Sequence, residues 1–266
     1  MDTPLKEKEK RSNPLARVAL VLVHPKYPEN IGASARIAYN FGISQLVVVR
    51  DQPPREEPML KMATHKAAHI IRSMRLHDNV AEAVAPFHFL VGTTARKGRR
   101  RIRKNTPREV MAELVPLLPG NRIGLMFGPE SSGLTNSDLD YCQFTSTVPT
   151  ADFSSLNLAQ AVAIHCYELH TAATGIATRP LPEAEYANSH ELEGMYAHIE
   201  EVLTTIGFLK HTTHVYWMRN IRQFLGRIRL QKKESSLIRG ICRKYLWHQA
   251  HGLPRSGKDK DRCSNT

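Results

Sequence analysis

Four short apolar runs, Val18–Val23, Leu46–Val49, Phe87–Val91 and Ile123–Phe127, and the Thr-rich run Thr145–Val148 punctuate the first 150 residues. Rich in Val, Ile, Leu and Phe, or in Thr in the last case, they predict short buried strands. The stretches between them keep a helical spacing of apolar positions. Strands alternating with helices predict an α/β fold, a mainly parallel sheet covered by helices on both faces.

Within that pattern the first helix is expected to start at Asn30 as N-cap and to stop at Gly42, with Ile31, Ala35 and Ala38 facing the sheet. Arg36 falls off the apolar stripe and is free to face solvent or a ligand. A longer helix should begin at Ser154 or Ser155 and run to Gly175, burying Leu158, Ala161, Val162 and Leu169. Periodicity is then lost across Ile176–Asn188, which carries Pro180 and Pro182. Beyond Ser189 the pattern is helical only, with helices expected around 190–206, 214–230 and 234–249. The expected division is a charged tail (1–16), an α/β domain (17–174), a linker (175–188), a small all-helical module (189–251) and a polar tail (252–266).

Composition narrows the partners. Thirty-seven Lys and Arg against 25 Asp and Glu give a formal charge of +12, which favours a polyanion because phosphate contacts release condensed counterions. Cysteines 142, 166, 242 and 263 form no CxxC pair and suit a reducing cytosol, so the expected location is cytoplasmic. The charged start, Asp2 to Pro14, has no apolar h-region, and no apolar run approaches the roughly 18 residues of a membrane helix. No metal is expected: His165, Cys166 and His170 sit mid-helix without a second Cys/His cluster and read as packing. The first strand is not followed by GxGxxG, which argues against a dinucleotide fold.

Three polar motifs each follow a strand-like run: Asn30-x-Gly32-x-x-x-Arg36, Phe127-Gly128-Pro129-Glu130-x-x-Gly133-Leu134, and Ser154-Ser155-Leu156-Asn157-Leu158. Carboxyl ends of strands are where open α/β sheets bind ligands. In this order the motifs resemble the signatures of the SpoU/TrmH branch of the SPOUT superfamily of RNA 2'-O-ribose methyltransferases. That resemblance implies a C-terminal trefoil knot and S-adenosylmethionine as cofactor. It implies a cofactor wall of Thr93, Thr94, Ala95, Gly128, Val148, Ser155, Leu156 and Asn157, and a catalytic set of Arg36, Asn30, Glu130, Ser155 and Asn157. A guanidinium stays protonated, so Arg36 is expected to bind a substrate phosphate or stabilise the developing alkoxide while water or a phosphate oxygen takes the proton. The plain alternative for Arg36 is an exposed helix residue paired with an acid. Glu130 has two readings, anchoring loops through backbone N–H groups or contacting the ribose.

Arg96, Lys97, Arg99, Arg100, Arg101 and Arg103 follow Ala95 directly and are expected to meet RNA, as are Arg219 and Arg222 in the helical module. Trp217 in that module reads as packing. The stretch Met195–Phe208 with Ile238-Arg239-Gly240-Ile241 resembles the C-terminal extension of TrmJ-type enzymes, which implies methylation of the tRNA anticodon loop, at position 32. Pro129 departs from that type, whose chains often carry a basic residue there. The family resemblance also implies a homodimer with the active site at the subunit interface. The alternatives are an rRNA 2'-O-methyltransferase of the same fold, or an RNA-binding protein that keeps the fold without the activity.

Overall fold

The structure, a computed structural model, describes residues 13–95, 105–152, 155–175, 185–210 and 212–251. The chain runs through β1 (Val18–Val23), α1 (Pro28–Asn40), β2 (Gln45–Val49), α2 (Glu56–Arg72), β3 (Arg75–His77), α3 (Val80–Val84) and β4 (Phe89–Thr93). Next come α4 (Pro107–Leu114), β5 (Ile123–Phe127), α5 (Asn136–Leu139), β6 (Phe144–Ser146) and α6 (Leu158–Gly175). Three helices close it: α7 (Ser189–Thr205), α8 (His214–Ile228) and α9 (Lys232–His251).

The six strands form one parallel sheet of order β3-β2-β1-β5-β4-β6. Central β1 sets Leu20 opposite Leu46 on one side and Leu125 on the other. Its side chains alternate between the faces. Val18, Leu20 and Leu22 pack with Ile31, Ala35 and Ala38 of α1 and with residues of α2, α4 and α6. Ala19, Val21 and Val23 pack with Ala83, Val84 and Phe87. Burial on both faces is why β1 is an unbroken apolar run rather than an alternating one. The α1 and α2 backbones approach so closely that a Cβ on Gly32 would lie 2.1 Å from the Met59 carbonyl oxygen.

The expected architecture is present, with shifts at its edges. β4 starts two residues later than the run Phe87–Val91 suggested, because Phe87 sits in the preceding turn and puts its ring into the second-face core. Thr93 therefore ends β4 rather than following it. β6 stops at Ser146, short of the expected Val148. α1 begins at Pro28 with Tyr27 in the cap position, so Asn30 lies in the first turn and is not the N-cap. α6 begins at Leu158. The cap is Asn157, whose Oδ1 accepts from the Ala159 amide at 2.9 Å, in place of Ser154 or Ser155. The three C-terminal helices match their expected spans to within two residues.

Those helices share a small core, in which Ala187 and Leu192, Met195 and Tyr196 of α7 are packed by Leu225 of α8 and Ile238 of α9. They also dock on the α/β unit. The Ser189 amide donates to the Phe87 carbonyl at 2.8 Å, Arg219 pairs with Asp140 at 3.2 Å, and Arg229 pairs with Glu113 at 2.8 Å.

Candidate functional site

At the carboxyl ends of β4, β5 and β6 lies a cavity of about 330 Å³, within the range of small-molecule sites. Its walls are Thr93–Ala95, the loop from Gly128 to Leu134, Val148, and the Ser155–Leu156 approach to α6. Two ties fix the β4 wall. Thr93 Oγ1 donates to the Met126 carbonyl at 3.0 Å, and the Thr94 amide donates to the Ser146 carbonyl at 3.0 Å. The β5 wall depends on a missing side chain, since a Cβ on Gly128 would lie 2.2 Å from the Leu134 amide nitrogen. Backbone passes backbone there, and the loop is closed by the Gly133 amide donating to the Pro129 carbonyl at 2.8 Å.

His165 forms the cavity floor. It is buried, its Nδ1 donates to the Ala161 carbonyl at 2.8 Å, and its Nε2 lies 2.9 Å from Ser146 Oγ. With the proton on Nδ1, Nε2 accepts from the serine. Burial pushes the His165 pKa down, so the floor is neutral. Read as packing from sequence, this residue is also a lining residue. The signal was a polar group on the buried stripe of a helix.

Beside the cavity, side chains from all three motifs meet. Glu130 accepts from Asn30 Nδ2 at 2.6 Å, from the Lys26 amide at 2.9 Å and from the Tyr27 amide at 3.5 Å. Asn157 Nδ2 then donates to Asn30 Oδ1 at 3.2 Å. Burial disfavours the charged form of Glu130. The hydrogen bonds from Asn30 and the Lys26 and Tyr27 amides outweigh it and hold its carboxyl below the usual range. Of the two readings of Glu130, the geometry displays the loop anchor.

Arg36 is not part of this cluster. It follows Asn30 by six positions, which on a helix is about 9 Å along the axis and about 240° around it, and it is exposed. Ser155 is exposed at the cavity rim. Arg96, Lys97, Arg99, Arg100, Arg101 and Arg103 fall outside the described residues. Arg219 and Arg222 have intramolecular partners: Asp140 for the first, and for the second Glu193 at 2.8 Å with the Tyr196 ring 4.4 Å below the guanidinium. Both are part-buried, and the acids beside them offset the charge that sequence assigned to RNA. Trp217, read as packing, is 39 % exposed beside the more exposed Tyr216.

Fold and cavity define an α/β protein that takes a small ligand at the carboxyl edge of a parallel sheet, with all three motifs converging there. Residues 17–167 match the SpoU rRNA Methylase family, and residues 190–254 match the C-terminal domain of tRNA methyltransferase TrmJ. The chain belongs to the SpoU methylase family and is a methyltransferase. It is 34% identical to the tRNA (cytidine/uridine/adenosine-2'-O-)-methyltransferase TrmJ of Pseudomonas aeruginosa over 85% of this chain and 93% of that one. It is likewise 34% identical to LasT of Escherichia coli, an uncharacterized tRNA/rRNA methyltransferase, over 84% and 94% of the two chains. The crystal structure of TrmJ from Z. mobilis superposes with a TM-score of 0.73 at 30% identity, covering 87% of this chain and 100% of that one.

Proposed function

We propose that the chain transfers a methyl group from S-adenosylmethionine to a ribose 2'-hydroxyl of tRNA, in the anticodon loop at position 32. The observation that carries this reading is the cavity walled by backbone at Gly128 and flanked by the Asn30–Glu130–Asn157 chain. Its size and its mixed polar and apolar lining fit the cofactor. Thr93, Thr94, Ala95, Gly128, Val148, Ser155, Leu156 and Asn157 would hold it. When bound, S-adenosylmethionine supplies an electrophilic methyl group on a sulfonium centre.

The chain's own residues supply placement. Glu130, with its acceptor sites occupied by Asn30 and two amides, fixes the loop after β1 rather than acting as a base. Asn30, held by Glu130 and Asn157, presents a preorganised amide at the cavity mouth. Arg36 neutralises the target phosphate or the developing alkoxide, and water or a phosphate oxygen takes the hydroxyl proton. Since Arg36 stands apart from its own subunit's cluster, we assign it to the site of a second copy in a homodimer. The close passage of the 128–134 loop supports the trefoil-knot topology, and the family matches over 17–167 and 190–254 support a division into 17–174 and 189–251 units with a linker at 175–188. A cytoplasmic location follows from a tRNA substrate.

The test is incubation of the protein and of Arg36→Ala with labelled S-adenosylmethionine and unmodified total tRNA, followed by nuclease digestion and mass spectrometry. Label in a 2'-O-methyl nucleoside of the anticodon loop, lost in the variant, is the expected result. Label in rRNA alone would replace the substrate. A wild-type chain giving no heat on titration with the cofactor would leave an RNA-binding protein.

A further inference from the structure

The loop joining β1 to α1, His24-Pro25-Lys26-Tyr27, carries an exposed aromatic ring at the edge of the site. Tyr27 is 48 % exposed, although its own amide and that of Lys26 are both held by Glu130, a wall residue of the cavity. The loop is fixed along its length. The His24 amide donates to the Val49 carbonyl at 2.9 Å, Arg50 Nη1 donates to the Pro25 carbonyl at 3.4 Å, and the Asn30 amide donates to the Tyr27 carbonyl at 3.0 Å. Pro25 and Pro28 restrict the backbone on either side. His24 is held at a φ of +46°, in the left-handed region that non-glycine residues seldom adopt. Strain kept beside a site is a pointer to function.

A fixed backbone bearing an exposed ring is what an aromatic platform requires, since little freedom remains to be lost when a partner stacks on it. Lys26 adds a cation, its Nζ 5.2 Å from the Tyr27 ring centroid. An aromatic face beside an ammonium suits an unpaired base with its phosphate, the elements of single-stranded RNA. The two tryptophans of the C-terminal helices are less suited, because Phe208 and Tyr216 pack against Trp217 at 5.2 and 5.5 Å and His251 stacks on Trp247 at 4.9 Å. We propose that Tyr27 is the stacking platform for an unpaired RNA base at or next to the ribose being methylated, with Lys26 on the adjoining phosphate. This rests on the RNA methyl-transfer reading above.

Two measurements on the full chain test it: kcat/KM for methyl transfer to unmodified tRNA, and the fluorescence of anticodon stem–loops carrying 2-aminopurine at the target nucleotide or either neighbour. Tyr27→Ala is expected to lower kcat/KM by about 5- to 150-fold, the range for loss of one stacked base, and to abolish the quenching. Tyr27→Phe and Tyr27→Trp are expected to retain both, with cofactor titration unchanged in all three. Loss of activity in Tyr27→Phe as well would make the hydroxyl the essential group and overturn the proposal. So would unchanged quenching in Tyr27→Ala, or conversion of that variant to a monomer, which would place the ring in a subunit contact. A wild-type protein that quenches through Tyr27 but transfers no methyl would sink the methyl-transfer reading and leave the platform standing.

Discussion

The sheet and the C-terminal helices are held together by different physics. All six residues of β1 are buried, and both faces of the sheet join extended apolar cores. The 15 residues of α8, by contrast, bury Met218 alone, and the 20 residues of α9 bury only Ser235 and Cys242. Val215, Phe224, Leu237 and Ile241 are each more than half exposed. Ion pairs fasten α8: Arg222 on Glu193, Arg219 on Asp140 and, at its C-cap, Arg229 on Glu113. α9 is joined to α7 by the Ser235 hydroxyl donating to the Glu191 carbonyl and by Ile238 packed on the small core. Apolar burial is insensitive to salt, whereas partly exposed ion pairs are screened. The contrast teaches that the sheet unit is fixed by close packing on both faces, while α8 and α9 are fastened along a narrow side with most of their surface exposed.

Perturbing each region in turn sharpens this contrast. The largest effect is expected from Gly128→Ala, whose Cβ has no room beside the Leu134 amide. Displacing that loop is expected to cost about 3 kcal/mol, the upper end for overpacking, and to abolish cofactor heat in a calorimetric titration. Mixing this variant with Arg36→Ala extends the test to the dimer: if Arg36 serves its partner's site, random hybrids recover about a quarter of wild-type activity. Next comes Glu130→Ala, which releases Lys26, Tyr27 and Asn30 together. A roughly 10²-fold loss of methyl transfer follows from misplacement on the scale of 1 Å, while hydrogen exchange in the C-terminal helices stays unchanged.

Smaller and opposite in location is Arg222→Met. It leaves the part-buried Glu193 unpaired at a cost of about 1–3 kcal/mol, read as faster amide exchange in α7 and α8 with β1 and β5 unaffected. Moderate salt should mimic it in part. The smallest effect is a pH slope. Burial lowers the His165 pKa, so as pH falls below about 6.5, the ordinary histidine value, the unfolded chain gains the proton first. Stability then declines until the lowered folded pKa is passed. Thermal midpoints between pH 7 and 5 should fall for the wild type and fall less steeply for His165→Gln.

How much of this was legible depended on whether burial or partnership decided an element. Val18–Val23 and Ile123–Phe127 were read to the residue because strands buried on both faces leave an unbroken apolar run. β3 was not seen: Arg75-Leu76-His77 is a short edge strand with little burial, formed by pairing with β2. Asn30 carries the composition of an N-cap, yet its side-chain Nδ2 donates to Glu130, a residue 100 positions away. No local pattern reports that contact. Likewise, Arg219 and Arg222 lie among interleaved apolar and basic positions that look like a free basic face. Their acids come from α7 and from beyond α5, which only the tertiary structure brings near. The convergence of the three motifs was legible in outline, because each follows a strand and strand ends in a parallel sheet share one edge.

The two residues flanking the run of arginines are both fastened to the same point. The Thr94 amide donates to the Ser146 carbonyl, and the Asn105 carbonyl accepts from the Thr147 amide, each at 3.0 Å. Ser146 of β6 thus pairs with Thr93 and with Asn105, so both points are set by the sheet. Loop-closure cost grows slowly, by about 0.6 kcal/mol per doubling of length. Two points so held by the sheet can be joined by stretches of different length at little cost to the fold.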